Sequence, residues 1–276
     1  MGLGYSTLNL ANAKYKSLLD CIAKKGKVAV AFSGGVDSSF LCYAAYEALE
    51  KNAIAVTIVS PMLSKSELLD AKKVAGQIGI EHISIEEKNI DEKVAKNPRD
   101  RCYFCKKQEF GKIMRVAKEH YGINAVLDGT NIDDENDYRP GFKALAELGV
   151  FSPLREIGLS KAEIRELSRL ANIPVWNKPA FACLASRIPY GQEITKELLL
   201  KIEAGEEILR SFGFESFRLR THNDIARIEV AKSERSKLFS EQVLDDISKK
   251  IKELGFTFVA MELEGYEMGN LNKYSP

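Results

Sequence analysis

Ala31-Phe-Ser-Gly-Gly-Val-Asp-Ser-Ser-Phe40 follows an apolar, strand-like run, Val28-Ala-Val-Ala-Phe32, and leads into a helix-like stretch that begins near Ser38. A strand, a short Ser/Gly turn and a helix N-terminus together form an anion cradle. Gly34 and Gly35 let the backbone approach a phosphate with no Cβ in the way. The first-turn N–H groups of a helix lack intrahelical partners, and the helix dipole is positive there. Ser33, Ser38 and Ser39 add hydroxyl donors, and Asp37 is placed to hold Mg²⁺. No Gly-Lys-Ser/Thr follows, so this is not a Walker loop. A tight packing turn that binds nothing is the plain alternative; the length and placement of the stretch weigh against it.

Outward from this turn, the first part of the chain alternates strand and helix. The strands expected are Val28–Phe32, Ala53–Ser60, His82–Glu86 and Ala125–Asp128, each short, apolar or β-branched. Lys14–Ala23, Ser39–Leu49 and Ser66–Ile78 carry apolar residues at helical spacing. This order implies an α/β fold with a doubly wound parallel sheet, whose ligands bind at the carboxyl ends of strands. The Ser33–Ser38 turn lies at one such end. Asp128-Gly-Thr-Asn131 lies at another, followed by Asp133, Asp134, Asp137, Tyr138 and Arg139. Gly129 suits close approach to a nucleotide. Asp128, Thr130 and Asn131 offer polar contacts, or else form an Asx-turn leaving a buried strand.

Ser160–Ala171 reads as an amphipathic helix capped by Ser160. The stretch Trp176–Gly191, with Pro179 and Pro189, has neither helix nor strand periodicity and reads as a functional loop joining two domains. The division expected is residues 1–180 and 181–276. The second part, a smaller α+β domain, runs helix Thr195–Phe212, strands Phe217–Thr221 and Ala226–Val230, helix Ser233–Leu254 and strand Phe256–Leu263. Arg218 and Arg220 alternate on one strand and so share a face, where guanidinium forks suit a substrate phosphate. Arg227 and Glu229 share a face of the next strand; a solvated ion-pair face is the alternative. Glu206 on the preceding helix is not placed by sequence alone.

The 276 residues include 40 basic and 39 acidic side chains, a net charge of +1, so no global basic field points to nucleic acid. No apolar run approaches the roughly 18 residues of a membrane span, and the first residues carry no secretory pattern. A cytoplasmic protein is expected, and a homo-oligomer.

Five cysteines are present. Cys21 and Cys42 sit among apolar neighbours as small core residues. Cys102-Tyr-Phe-Cys105, within Asn97–Lys107, reads as a loop entering a helix Lys106–Lys118, where the helix N-terminus and nearby Arg and Lys would lower a thiol pKa. Such a pair can be a redox couple, half a zinc site or part of an iron–sulfur site. A closed zinc site wants four protein ligands, and only Cys183 offers a further loop thiol. Three thiolates, Cys102, Cys105 and Cys183, and one vacancy suit a [4Fe–4S] cluster with an open iron. Cys183 also stands beside Ser186 and Arg187, where a thiolate would attack an adenylated carbonyl with Arg187 stabilising the charge.

Ser33-Gly-Gly-Val-Asp-Ser38, Arg101-Cys-Tyr-Phe-Cys105, Asp128-Gly-Thr-Asn131 and Pro179–Gly191 together resemble the LarE-type sulfur transferases of the PP-loop ATP pyrophosphatase superfamily. The likeness spans nearly the whole chain. It implies cleavage of ATP between the α and β phosphates and transfer of AMP to a carboxylate of pyridinium-3,5-biscarboxylic acid mononucleotide. Sulfur then replaces the AMP, a step in making the nickel-pincer nucleotide of lactate racemase. In some members a cysteine gives up its sulfur; in others three cysteines carry a [4Fe–4S] cluster that passes on a bound sulfide, and the three candidate thiols here favour that mode. Two other enzyme classes share the phosphate loop: tRNA-thiolating enzymes, against which the near-neutral charge weighs, and ATP-dependent amide synthetases, which need no thiol. A nucleotide-sensing module is the non-enzyme alternative.

Overall fold

The computed structural model describes residues 5–136, 140–179 and 183–267. Asp137, Tyr138 and Arg139, and residues 180–182 of the Cys183 loop, lie outside the described residues. The chain divides into two compact units, residues 1–88 with 100–181, and residues 89–99 with 182–276.

The first unit contains α1 (Tyr5–Ala23), β1 (Val28–Ala31), α2 (Val36–Leu49), β2 (Ala53–Val59), α3 (Lys65–Ile78) and β3 (Glu81–Glu86). After α4 (Glu92–Ala95), which belongs to the second unit, it continues with α5 (Arg101–Tyr121), β4 (Ala125–Leu127), α6 (Gly141–Leu148), α7 (Pro153–Glu156) and α8 (Lys161–Leu170). The four strands form one parallel sheet in the order β3-β2-β1-β4. Side chains alternate across it, as strand geometry requires. Val28 and Val30 of β1 join a core with Leu18 of α1, Phe40 and Leu41 of α2, Val74 of α3 and Ile164 of α8. Ala29, Ile54 and Val56 face the other way, into a core with Phe110 and Ile113 of α5 and Leu145 of α6. Helices thus cover both faces, the doubly wound α/β arrangement. Burial on both faces is why these strands read as unbroken apolar runs.

The Cys102–Cys105 segment departs from the sequence reading. It is not a loop leading to a helix at Lys106 but the first turn of α5, which starts at Arg101. Pro98 lies three residues before the helix start, where it does no harm.

The second unit adds α9 (Lys196–Ser211), β5 (Phe217–His222), β6 (Ile225–Val230), α10 (Glu241–Glu253) and β7 (Phe258–Met261). β5 and β6 are antiparallel, and β7 runs parallel to β6. α9 packs on β5, and α10 on α9 and β7, a small α+β unit. The helix expected over Ser233–Leu254 is two elements, a 3₁₀ turn Lys232–Leu238 and then α10. Glu234 draws the first piece aside by accepting bonds from the Glu215 and Ser216 N–H groups.

Residues 89–99 read as part of the first domain, yet they cluster with the second unit. Asn97 explains this. It is fully buried, with φ of +52°, and its Nδ2 donates to the carbonyls of Pro189 (2.7 Å) and Gln192 (3.0 Å). Gly191 N–H returns a bond to Asn97 O, and Ile194 N–H one to Ala95 O. Among the described residues no helix is long and apolar enough to cross a membrane.

Candidate active site

The phosphate-loop residues meet at the carboxyl end of β1. Gly34 has φ of +72°, and a Cβ there would lie 3.0 Å from Ala71 Cβ of α3, so this position needs glycine twice over. Gly35 is the N-cap of α2 and supplies no capping side chain. The first-turn amides of α2 therefore keep their full donor capacity for an anion. Ser33 and Ser38 brace the turn: their hydroxyls lie 3.1 Å apart, Ser33 N–H donates to Ser38 Oγ, and Ser38 Oγ donates to Gly35 O.

Asp37 stands on the first turn of α2. Its Oδ2 accepts from Lys161 Nζ, at the first position of α8, while its Oδ1 is buried with no partner among the described residues. Burial raises the Asp37 pKa above the ordinary carboxylate value, against the pull of Lys161. An orphaned, buried carboxylate oxygen beside a phosphate cradle fits a divalent cation with oxygen ligands.

The second loop converges on the first. Gly129 packs so close to the start of α2 that a Cβ would sit 3.0 Å from Ser38 N. The neighbouring polar residues bond within the loop and to the starts of the following helices. Asp128 is buried and accepts from the Thr130 and Ser152 hydroxyls, and Asn131 Oδ1 accepts from Asp133 N–H at 3.0 Å. Asp133 in turn accepts from Lys161 N–H at 2.6 Å, which fixes the start of α8. Sequence reading did not find Lys161. A signal existed: a lysine at the first position of a helix opposes the dipole, so such a residue invites another explanation.

Cys102 and Cys105 lie one turn apart on α5, Cys102 exposed and Cys105 half-buried. The Cys105 thiol hydrogen-bonds to Glu109, whose pKa burial raises. Among the described residues no disulfide joins any cysteine, and no group of three or more potential metal ligands is assembled. The pair fits as two thiolate ligands of a cluster, not as a complete set.

In the second unit, Cys183 is exposed and precedes the 3₁₀ turn Leu184–Arg187. Two buried arginines hold this turn from within. Arg187 Nη1 donates to Cys183 O at 3.2 Å and to Ser186 Oγ at 3.1 Å, while its other nitrogens meet Glu206. Arg220 Nη1 donates to Ser186 O at 2.8 Å, and its Nε to Glu229 at 2.6 Å. Glu229 also accepts from Arg227 at 2.8 Å. Arg218 and Arg220 share one face of β5 and are both buried. Glu206, unplaced by sequence, holds both Arg187 and the Leu219 N–H.

The family model described as NAD synthase matches residues 11–242. A Synechocystis protein described as uncharacterized is 38% identical over 96% of this chain and 98% of its own length. The pyridinium-3,5-bisthiocarboxylic acid mononucleotide synthase of Lactiplantibacillus plantarum is 34% identical over 94% of each chain. A more distant relative, a tRNA-specific 2-thiouridylase of Thermoanaerobacter pseudethanolicus, is 26% identical over 66% of this chain and 62% of its own. A glycine-built phosphate loop at the end of a parallel strand and a full-length match of this extent lead to one conclusion: the chain belongs to the LarE-type ATP-dependent sulfurtransferases of the PP-loop superfamily.

Proposed function

We propose that this enzyme adenylates a carboxylate of pyridinium-3,5-biscarboxylic acid mononucleotide and converts it to a thiocarboxylate, for nickel-pincer nucleotide synthesis. The observation that carries this reading is Cys183, an exposed thiol on a turn whose carbonyls are held by two buried arginines. The near-full-length likeness to the Lactiplantibacillus synthase supports the substrate class.

The α2 N-terminus, with Ser33, Gly34, Gly35 and Ser38, receives the ATP phosphates; Asp37 holds Mg²⁺, which spreads phosphate charge when bound. Lys161 adds a second positive charge at the same carboxylate. Gly129 lets the Asp128–Asn131 loop close on the start of α2. A carboxylate oxygen of the acceptor attacks the α-phosphorus, and pyrophosphate leaves. A sulfur nucleophile then attacks the acyl carbon, and AMP departs with that oxygen. The activation is needed because an oxide is a poor leaving group and AMP a good one. Arg218 and Arg220 hold the acceptor phosphate. Arg187, buried on Glu206, acts by fixing the Cys183–Ser186 turn.

Cys102, Cys105 and Cys183 supply three thiolates for a [4Fe–4S] cluster, which when bound provides an iron able to carry an exchangeable sulfide. A second reading has an observation in its favour. Cys183 is exposed and is itself a competent sulfur donor, left as dehydroalanine. Anaerobic purification with iron and sulfide counting separates the two. Iron lost alike in Cys102→Ala, Cys105→Ala and Cys183→Ala supports the cluster; dehydroalanine at position 183 after turnover establishes the sacrificial route. A homo-oligomer is part of the same proposal, supported by exposed Phe239, Phe258 and Leu263 on the second unit and tested by sedimentation.

A further inference from the structure

In the second unit an aromatic ring lies against one of the buried arginines of β5. Arg218 Cζ lies 4.6 Å from the ring centroid of Tyr266. The contact is built by the chain that follows β7. Gly265 has φ of +81°, and a Cβ there would lie 2.8 Å from Val230 O, so only glycine makes this turn. Tyr266 N–H then donates to Val230 O at 2.7 Å, which pins the residue beside β6, the strand paired with the one carrying Arg218.

The environment explains why a ring is useful there. Burial, with the nearby cation Arg187, lowers the Arg218 pKa, against the pull of the Glu206 carboxylate. Arg187 and Arg220 are steadied by the carboxylates of Glu206 and Glu229, which engage guanidinium N–H groups. Stacking on an aromatic ring steadies a cation differently: it uses the face of the guanidinium plane and not its N–H edge. Arg218 Nη1 already donates to Phe217 O at 2.6 Å, and the rest of the N–H edge is the part suited to a phosphate.

Resting on the reading of Arg218 as a phosphate contact, we propose that Tyr266 is a positioning residue that holds Arg218 edge-on to the acceptor's phosphate monoester. It thereby sets the preference of this enzyme for a nucleotide over the matching nucleoside. The test is calorimetric titration of the full chain with nicotinic acid mononucleotide and nicotinic acid riboside as probes, with Mg-ATP binding as the control for folding. Tyr266→Ala and Tyr266→Leu should each weaken mononucleotide binding about tenfold, leave riboside and Mg-ATP binding unchanged, and so erode the nucleotide preference. Tyr266→Phe should stay within about twofold of the unmodified protein, since it keeps the ring. A Leu variant that binds the mononucleotide normally, or an Ala variant that loses both probes equally, would overturn the proposal. Arg218→Ala keeps the two failures apart. If it leaves mononucleotide binding unchanged, the phosphate reading of Arg218 falls; if it weakens binding while Tyr266→Ala does not, only the role of Tyr266 falls.

Discussion

Arg187 meets Glu206 at two points inside the second unit, Nε to Oε1 at 2.8 Å and Nη2 to Oε2 at 2.9 Å, with the arginine wholly out of solvent. Removing one partner of such a pair strands the other charge, at about 3–5 kcal/mol. Glu206→Ala should therefore lower unfolding stability by about that amount in urea titrations. A double variant, Arg187→Met with Glu206→Leu, should recover most of the loss. It should not recover sulfur transfer, because Cys183 O and Ser186 Oγ then lose their donor. Recovery of both would show that the pair serves stability alone.

Lys161 and Asp37 are partly solvated, so their pairing contributes little to stability. Lys161→Met should leave the unfolding midpoint nearly unchanged. It should raise KM for ATP and slow AMP formation by about 100- to 1000-fold, the range for removing one positioned donor to charge that develops in the transition state. Single-turnover AMP release with a carboxylate acceptor is the measurement.

Gly129→Ala places a methyl 3.0 Å from Ser38 N, against backbone that cannot yield cheaply. The two loops must part. Stability should fall by about 1–3 kcal/mol, and ATP affinity by at least about tenfold, measured by calorimetry.

Glu163 ties α8 to α1, accepting from Lys14 Nζ at 2.8 Å and from Ser160 N–H at 2.8 Å. Burial alone would raise its pKa, but the bonds from Lys14 and Ser160 outweigh it and hold the carboxyl below its ordinary value of 4.5. A depressed acid stabilises the fold above its unfolded pKa, and the contribution disappears as pH falls through the folded value. Stability should thus decline below about pH 4.5, and Glu163→Gln should be less stable at neutral pH with a flatter acid limb. Urea unfolding across pH 3–7 checks this; parallel acid limbs for the two proteins would contradict it.

The strands of the first unit were legible because a sheet buried on both faces writes itself as apolar runs, as in Val28–Ala31 and Ala53–Val59. The phosphate turn was legible for a local reason too, two glycines between a strand and a helix. What escaped was non-local. Asn97 assigns residues 89–99 to the second unit through carbonyls about ninety positions away. Lys161 reaches Asp37 across 124 positions. The split of the expected Ser233–Leu254 helix turns on Glu234 bonding to the Glu215 and Ser216 amides. Periodicity carries no record of such bonds, which the folded chain alone creates.

In the proposed reaction ATP makes one carboxylate oxygen expellable so that sulfur takes its place. This is tested most directly with ¹⁸O-labelled pyridinium biscarboxylate mononucleotide, Mg-ATP and anaerobic enzyme, followed by mass spectrometry of both products. The expected products are AMP carrying one ¹⁸O and an acceptor in which one labelled oxygen has been exchanged for sulfur. Unlabelled AMP, or labelled AMP beside an acceptor that has gained no sulfur, would contradict it.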